Sequence, residues 1–541
     1  MERNVEIDKI SDGKRYGAND LVKVGCDDCR GCSACCHGMG DSIVLDPMDV
    51  YRLEKKLGKT MEEILLAGNV ALRVVDGVIL PHLKMTEQSD RCSFLNEEGR
   101  CSIHDARPGF CRMFPLGRLY EDGTFSYFLQ VNECPKENKT KVKVRRWLDT
   151  PELGKYGPLT KNEVFCMIIQ NALVYTPRHT FERGTIVIRD GRIVPFAAPE
   201  EGEEVLDAEG LYALPGLVDI HFHGAMGKDF CDGTEEAIQT LADFEASKGV
   251  LAICPATMTY PEEILNKVMD AAAAHKNGKG ADLVGINMEG PFISPKKVGA
   301  QNPEYVQGAD AAMFRRLQKR AGGLIKLVDV APEEPGNLDF IKECHNEVRI
   351  SIAHTCTDYD TAVKAFEAGA THMTHLYNAM PGITHRAPGP IIAAMEHDAE
   401  VELITDNVHI HPAMVRFTFN TFGDDRICLI ADSAMSCGLP DGQYSLGGQA
   451  ITVKGPRATL TEHPDTIAGS NTCLYDCMKR AVLEMNVPLE SAVRAASENP
   501  AKSIGIDNDY GSLAAGRYGN VILADKELNI QAVYQKGTRI V

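Results

Sequence analysis

The run Asp219-Ile220-His221-Phe222-His223-Gly224 sets two histidines two residues apart at the end of an apolar stretch. In an extended strand that spacing puts both imidazoles on one face, where they can share a metal ion. Four further residues with ligating or proton-transfer chemistry also stand where apolar runs end. They are Glu289 in Met-Glu-Gly-Pro-Phe, His354 in Ile-Ala-His-Thr, His375 in Thr-His-Leu-Tyr-Asn-Ala-Met and Asp432 in Ile-Ala-Asp-Ser. Neutral imidazole and carboxylate suit Zn2+ or Fe2+. A metal held by three such groups keeps a position for water and lowers its pKa toward ~7. Asp432 would take the proton from that water and return it to a leaving amine. A single buried histidine is more often a packed core group, and Glu289 alone would read as a helix-cap partner. Their recurrence at strand ends favours a metal hydrolase. His372, His385, His397 and His411 lack that placement, and a solvated or packed role is expected for each.

Such residues need a frame that gathers strand ends. Strand patterns fall at 217–223, 250–256, 283–289, 325–330, 348–354, 371–377, 401–406 and 426–432, with helical patterns between them such as 235–248, 262–275 and 361–368. Eight strands alternating with helices over roughly 280 residues fit a (β/α)8 barrel, for which ~250 residues is typical. A doubly wound open sheet would want a glycine-rich phosphate loop after its first strand. Here the first strand ends in His-Phe-His. Short strand-like runs before the barrel, Met167-Ile168-Ile169, Ala172 to Tyr175 and Thr185 to Ile188, resemble runs after it, Asn520 to Ala524 and Ile530 to Tyr534. The reading is α/β: a metal-dependent barrel over 217–504, a small β-sandwich from both flanks (164–216 and 505–541), a linker over 141–163 and a cysteine-rich metal-binding domain over 1–140.

A chain of 541 residues is too long for one core. Its net charge of -19 argues against nucleic acid and anionic membrane as partners. No run of ~18 apolar residues is present, and the first residues hold no apolar signal core, so a cytoplasmic location is expected.

Of 18 cysteines, half lie in the first quarter of the chain: Cys26, Cys29, Cys32, Cys35, Cys36, Cys92, Cys101, Cys111 and Cys134. In a reducing compartment such density indicates metal more readily than disulfides. Thiolates at this spacing can close around a tetrahedral zinc or iron, or hold an iron–sulfur cluster. A structural staple for a small core and a redox or metal-handling role are both compatible with it. The segments Gly31-Cys32-Ser33-Ala34-Cys35-Cys36, Cys92-Ser93-Phe94-Leu95, Cys101-Ser102-Ile103-His104 and Arg107 to Pro115 resemble a zinc- or iron-chelating family with a Cys-x-x-Cys-x-x-x-Cys-Cys type of signature. The spacing Cys32-x-x-Cys35-Cys36 departs from that signature.

The larger region, from about Ile168 onward, resembles the N-acetylglucosamine-6-phosphate deacetylases of the amidohydrolase superfamily. The resemblance rests on 215–224 (Pro-Gly-Leu-Val-Asp-Ile-His-Phe-His-Gly), 288–292, 375–380, 386–389 (Arg-Ala-Pro-Gly), 406–409 (Asp-Asn-Val-His) and 467–470 (Ile-Ala-Gly-Ser). It implies a main metal on Glu289, His354 and His375, a second on His221 and His223 bridged by Glu289, and Asp432 as general acid and base. It further implies an amino sugar phosphate held by Ala300, Gln301, Asn378, Ala379, Arg386, Asp406, His409, Ile467, Ala468 and Gly469, and a homodimer. The implied reaction cleaves the acetamide of N-acetylglucosamine 6-phosphate to acetate and glucosamine 6-phosphate. In the family a histidine often stands in a Gly-x-His-Asn-Pro run and contacts the acetyl carbonyl. Here that residue is Gln301, which can donate a hydrogen bond but cannot carry a proton. The alternatives are a hydrolase of a related N-acyl amino sugar phosphate or cyclic amide, and a non-catalytic metal-storage or redox-sensing protein. The cyclic-amide enzymes commonly use a carboxylated lysine on strand four, whereas Lys326 lies at the wrong end of that strand.

Overall fold

A computed structural model of the chain describes residues 11–17, 20–25, 33, 36–40, 42–45, 47–75, 78–86, 89–121, 124–131, 134, 139–144, 147, 166–195 and 204–541. Two compact units divide the chain, 1–164 and 165–541.

In the second unit eight parallel strands follow one another in chain order. They are β1 (Leu217–Asp219), β2 (Val250–Ile253), β3 (in two pieces, Asp282–Leu283 and Ile286–Met288), β4 (Ile325–Val330), β5 (Arg349–Ile352), β6 (His372–Met373), β7 (Glu400–Ile404) and β8 (Ile427–Ile430). The first piece of β3 pairs with β2 and the second with β4, and an Ala256–Asn287 bridge joins the two ladders. From β4 to β8 each strand pairs with the next. Closure is made just beyond the ladder: Asp432 N–H donates to the His221 carbonyl, and His223 N–H to the Ser433 carbonyl, each at 2.8 Å. Such strands are apolar on both sides, as Val250–Ile253 and Ile427–Ile430 are, because helices cover the outside and side chains fill the inside.

The helices keep the sequence expectation within a residue or two. Glu235–Ser247 starts at Thr234, whose hydroxyl accepts from Ala237 N–H, and carries Glu235 and Glu236 in its first turn. Ala237, Ile238, Leu241 and Ala242 form its buried face. It stops before Gly249, which takes φ 79° and returns the chain to β2.

Flanking strands from both sides of the barrel share one sheet: Tyr212–Pro215 pairs in parallel with Cys166–Tyr175 and antiparallel with Val521–Ala524. Its core unites Met167, Ile169, Ile186 and Ile188 with Val521, Leu523 and Tyr534. A four-stranded antiparallel sheet over Gly442–Leu446, Gln449–Lys454, Arg457–Leu460 and Ile467–Ser470 follows β8. Sequence reading did not foresee it. Its strands alternate exposed and buried residues, as a one-face sheet does.

The first unit holds short antiparallel pairs, Val70–Val75 with Val78–Leu83 and Leu116–Glu121 with Thr124–Leu129. Leu21–Gly25 pairs with Thr140–Lys143, so the fold continues into residues expected to be linker. The alternation Lys141-Val142-Lys143-Val144 gives that segment one apolar face, and Val144 is fully buried.

Candidate active site

The β1, β3, β5, β6 and β8 ends bring His221, His223, Glu289, His354, His375 and Asp432 to one barrel mouth, all buried. Glu289 is the hub. Its Oε1 lies 3.0 Å from His354 Nε2, 3.1 Å from His375 Nε2 and 3.6 Å from His221 Nε2. Its Oε2 lies 3.3 Å from His223 Nε2, which is also 3.3 Å from Asp432 Oδ1. His354, His375 and Asp432 have φ of 42°, 26° and 46°. Non-glycine residues avoid that region at a cost of order ~1–3 kcal/mol each, and such strain clusters at functional sites. Gly290, with φ 70°, follows Glu289 because a side chain there would overlap Thr259.

The donor set fits a divalent cation. The His354 and His375 Nε2 atoms face each other at 3.1 Å beside a carboxylate. His354 Nδ1 is 2.8 Å from the Lys297 carbonyl, which accepts the Nδ1 proton, so a neutral ring would present its Nε2 lone pair to a metal. His221 Nδ1 is likewise engaged, 2.8 Å from Glu402 Oε2, while its buried Nε2 has no hydrogen-bond partner. Two compact donor groups result, Glu289 with His354 and His375, and His221 with His223 and Asp432.

The electrostatics match. Burial disfavours a charged His221, but Glu402, Glu289 and Asp432 outweigh it and raise its pKa well above the imidazole range. Burial likewise works against a charged His223, yet hydrogen bonds to Asp432 and Glu289 push it up to about 10. Burial favours neutral Glu289, but the charge of His221 and hydrogen bonds from His223, His354 and His375 hold it well below the carboxylate range. Asp432 is lowered against its burial by the His223 hydrogen bond and neighbouring histidine charge. The carboxylates thus create demand for positive charge, which a cation satisfies with the histidines neutral.

A cavity of about 430 Å³ opens over His223, Glu289, His354, His375 and Asp432 and is lined also by Ala300, Gln301, Asn378, Ala379, His409, Ile467 and Gly469. Three residues expected at the substrate lie elsewhere. Asp406 is withdrawn beneath the cavity, where its Oδ2 is 2.8 Å from His409 Nδ1 and its Oδ1 accepts from the Val408 and His409 N–H groups. Ala468 is fully buried, because alternation along its strand turns it away from its neighbours Ile467 and Gly469. Arg386 lines a separate cleft with Thr357, Asp358 and Pro388. Gln301 is more constrained than expected: its Oε1 accepts from Thr259 N–H at 2.6 Å, and its Nε2 donates to Glu289 Oε2 at 2.6 Å.

Sequence reading missed Glu402, whose Oε2 also accepts from His375 N–H at 3.1 Å. The signal was a carboxylate inside the apolar run Val401-Glu402-Leu403-Ile404. It missed Lys296 and Lys297, which line the cavity.

In the first unit Cys26, Cys29, Cys32 and Cys35 lie outside the described residues. Cys36, Cys92, Cys101 and Cys111 line one cavity, together with His104. Cys92 N–H donates to the Cys36 carbonyl at 2.7 Å, and Leu95 bridges to Cys101, so backbone pairing gathers three of them. Cys134 does not line that cavity. Among the described residues no helix is long and apolar enough to cross a membrane.

A parallel eight-stranded barrel with carboxylate and histidines at its C-terminal mouth defines the class of metal-dependent barrel hydrolases. The chain belongs to the amidohydrolase family, which matches residues 212–540. A family described as a zinc- or iron-chelating domain matches residues 28–140. The chain is 34% identical over 375 residues to N-acetylglucosamine-6-phosphate deacetylase from Bacillus subtilis, covering 67% of this chain and 94% of that one. It is 30% identical over 348 residues to N-acetylgalactosamine-6-phosphate deacetylase from Escherichia coli O157:H7, covering 64% and 90%. Among solved structures it is similar to a mutant N-acetyl-D-glucosamine-6-phosphate deacetylase from Mycobacterium smegmatis in complex with N-acetyl-D-glucosamine-6-phosphate. The TM-score is 0.65 at 32% identity, covering 70% of this chain and 99% of that one.

Proposed function

We propose that the barrel hydrolyses the acetamide of N-acetylglucosamine 6-phosphate, giving acetate and glucosamine 6-phosphate. The observation that carries this is the Glu289 hub with four histidines and Asp432 around it, in a chain 34% identical to a deacetylase of that name. Glu289, His354 and His375 would hold one divalent cation, zinc or iron, and His221 with His223 a second that shares Glu289. The bound cation supplies an activated water and polarises the amide carbonyl. Asp432 would accept a proton from the attacking water and deliver it to the departing nitrogen. Lys297 and Glu402 fix the tautomers of His354 and His221.

At the sugar end Asn378, Ala379, Ile467 and Gly469 shape the pocket, and His409 meets the phosphate. Burial opposes a charged His409, but the hydrogen bond and charge of Asp406 outweigh it and raise its pKa. A cationic ring there suits a phosphate. Arg386 stands outside this cavity in its own chain, so a phosphate role for it requires a second copy. Such a role would need the homodimer. In the first unit Cys36, Cys92, Cys101 and Cys111 would hold zinc, iron or an iron–sulfur cluster.

Gln301 keeps a second substrate in view, because its amide is already engaged by Thr259 and Glu289 and the 6-phosphate of N-acetylgalactosamine is acted on by a relative, as its name states. Acetate release measured on both sugar phosphates and on unphosphorylated N-acetylglucosamine tests the reading. A kcat/KM highest for N-acetylglucosamine 6-phosphate is expected. Preference for the galactose epimer transfers the assignment to that sugar, and equal turnover without phosphate removes the phosphate site.

A further inference from the structure

The barrel carries a second constellation of ligating atoms on β6, β7 and β8, deeper than the mouth. His372, Glu400 and Cys428 offer one nitrogen, one oxygen and one sulfur, all within 4.8 Å of one another. His372 and Cys428 are fully buried, while the Glu400 side chain keeps 23% of its surface exposed and gives the cluster a route to solvent. His372 and Glu400 are register partners, and Cys428 adjoins Glu402 on the next strand.

A chain of hydroxyls fixes the His372 tautomer. Thr374 Oγ1 donates to Asp329 Oδ1 at 2.9 Å. Thr374 therefore accepts from Ser351 Oγ, 2.6 Å away. Ser351 Oγ, having given its proton, accepts from His372 Nδ1 at 2.9 Å. The proton thus sits on Nδ1 and Nε2 is a bare lone pair, buried and without a hydrogen-bond partner. The same arrangement, with Nδ1–H engaged and Nε2 bare, is the one metal-ligating histidines adopt. Glu400 repeats the theme. Its Oε1 is 3.0 Å from Arg349 Nη2, whereas its buried Oε2 has no partner. Two unsatisfied buried acceptors, with a thiol within 4.8 Å of both, carry a desolvation cost that a cation removes.

We infer that His372 Nε2, Glu400 Oε2 and Cys428 Sγ form a structural zinc site in the lower layer of the barrel, separate from the mouth. The set suits zinc: a neutral imidazole, a carboxylate whose second oxygen is paired with Arg349, and a thiolate, which disfavours magnesium and calcium. Burial, and then the charge of Arg349, keep His372 neutral, which is the ligating form. On binding, the Cys428 S–H bond breaks, its proton leaves to solvent, and an S–Zn bond forms with no change of oxidation state. The ion ties together three strands that also lead to His375 and Asp432 or carry Glu402. Its role is to hold those strands in register rather than to meet substrate.

Zinc-edge anomalous diffraction from crystals of the full chain grown with zinc tests this directly. A peak among the three donor atoms is expected, and no peak there overturns the site. In solution, Cys428→Ser and His372→Gln each lose about one zinc per chain by elemental analysis, melt at a lower temperature and keep the kcat/KM for acetate release. Folded variants that retain the full zinc count overturn the proposal. Should either variant fail to fold, the diffraction experiment on the unmodified chain decides.

Discussion

The mouth and the lower layer of the barrel use the same three strands, β6 to β8, in opposite ways. At the mouth His375 and Asp432 stand two residues beyond their ladders, at positive φ, where backbone leaves regular pairing and a side chain can be aimed. In the lower layer His372, Glu400 and Cys428 belong to the ladders themselves, and none has a positive φ. Strand ends can be strained toward chemistry because loops absorb the distortion, whereas ladder positions are fixed by their neighbours. We propose that donors of the first kind serve reaction and donors of the second kind serve the frame.

The comparison breaks most severely at Glu289. Glu289→Ala removes the oxygens that four histidines share, so the mouth loses its cations and acetate release falls to background, while zinc in the lower layer stays. Elemental analysis beside an activity assay reads both. Loss of zinc from both layers would show that they are not independent.

Glu402 sharpens the contrast, since it contacts His221 and the His375 backbone from the strand that also carries Glu400. Glu402→Gln keeps the shape but removes the charge. Metal affinity at the mouth is expected to fall by about 10–100-fold, read by competition with a chelator. Unchanged affinity would make Glu402 a packing residue.

Asp406→Asn carries a smaller effect with a pH signature. In the unmodified protein His409 is held above its ordinary pKa, so the cationic ring persists as pH rises and KM climbs only when pH passes that raised value. Without the carboxylate the ring loses its proton at lower pH, and the climb in KM moves down with it. At neutral pH a KM increase of roughly tenfold is expected, with kcat little changed. A pH–KM profile identical to that of the unmodified protein would remove His409 from the phosphate.

These two layers also differ in how legible they were. The mouth could be read because each donor closes an apolar run: Ile-Ala-His354, Ile-Ala-Asp432 and Met-Glu289 announce a strand and then a polar atom at its end. Eight such strands fixed the barrel, and the closure hydrogen bonds at His221 and Asp432 fall where those runs stop. The lower layer gave no such signal. Residues 372, 400 and 428 stand 28 apart, one strand-and-helix repeat each, and no local pattern unites them. His372 was expected to take a solvated or packed role; it is fully buried, and its neighbours emerge only when parallel register sets three strands side by side. Arg386 and Asp406 lie off the cavity wall for a related reason. A motif fixes that a residue matters without fixing whether it faces the cavity, supports a neighbour or lies on another surface.

The central claim is that the mouth is a metal-dependent deacetylase with Asp432 as its proton carrier. The most direct measurement quantifies acetate and bound metal in the same samples of the full chain and of Asp432→Asn, each given N-acetylglucosamine 6-phosphate. The unmodified chain should release acetate in step with glucosamine 6-phosphate. Asp432→Asn should retain its metal and turn over about 10²–10⁴-fold more slowly. A metal-loaded unmodified chain that releases no acetate, or an Asp432→Asn variant as fast as its parent, would contradict the account.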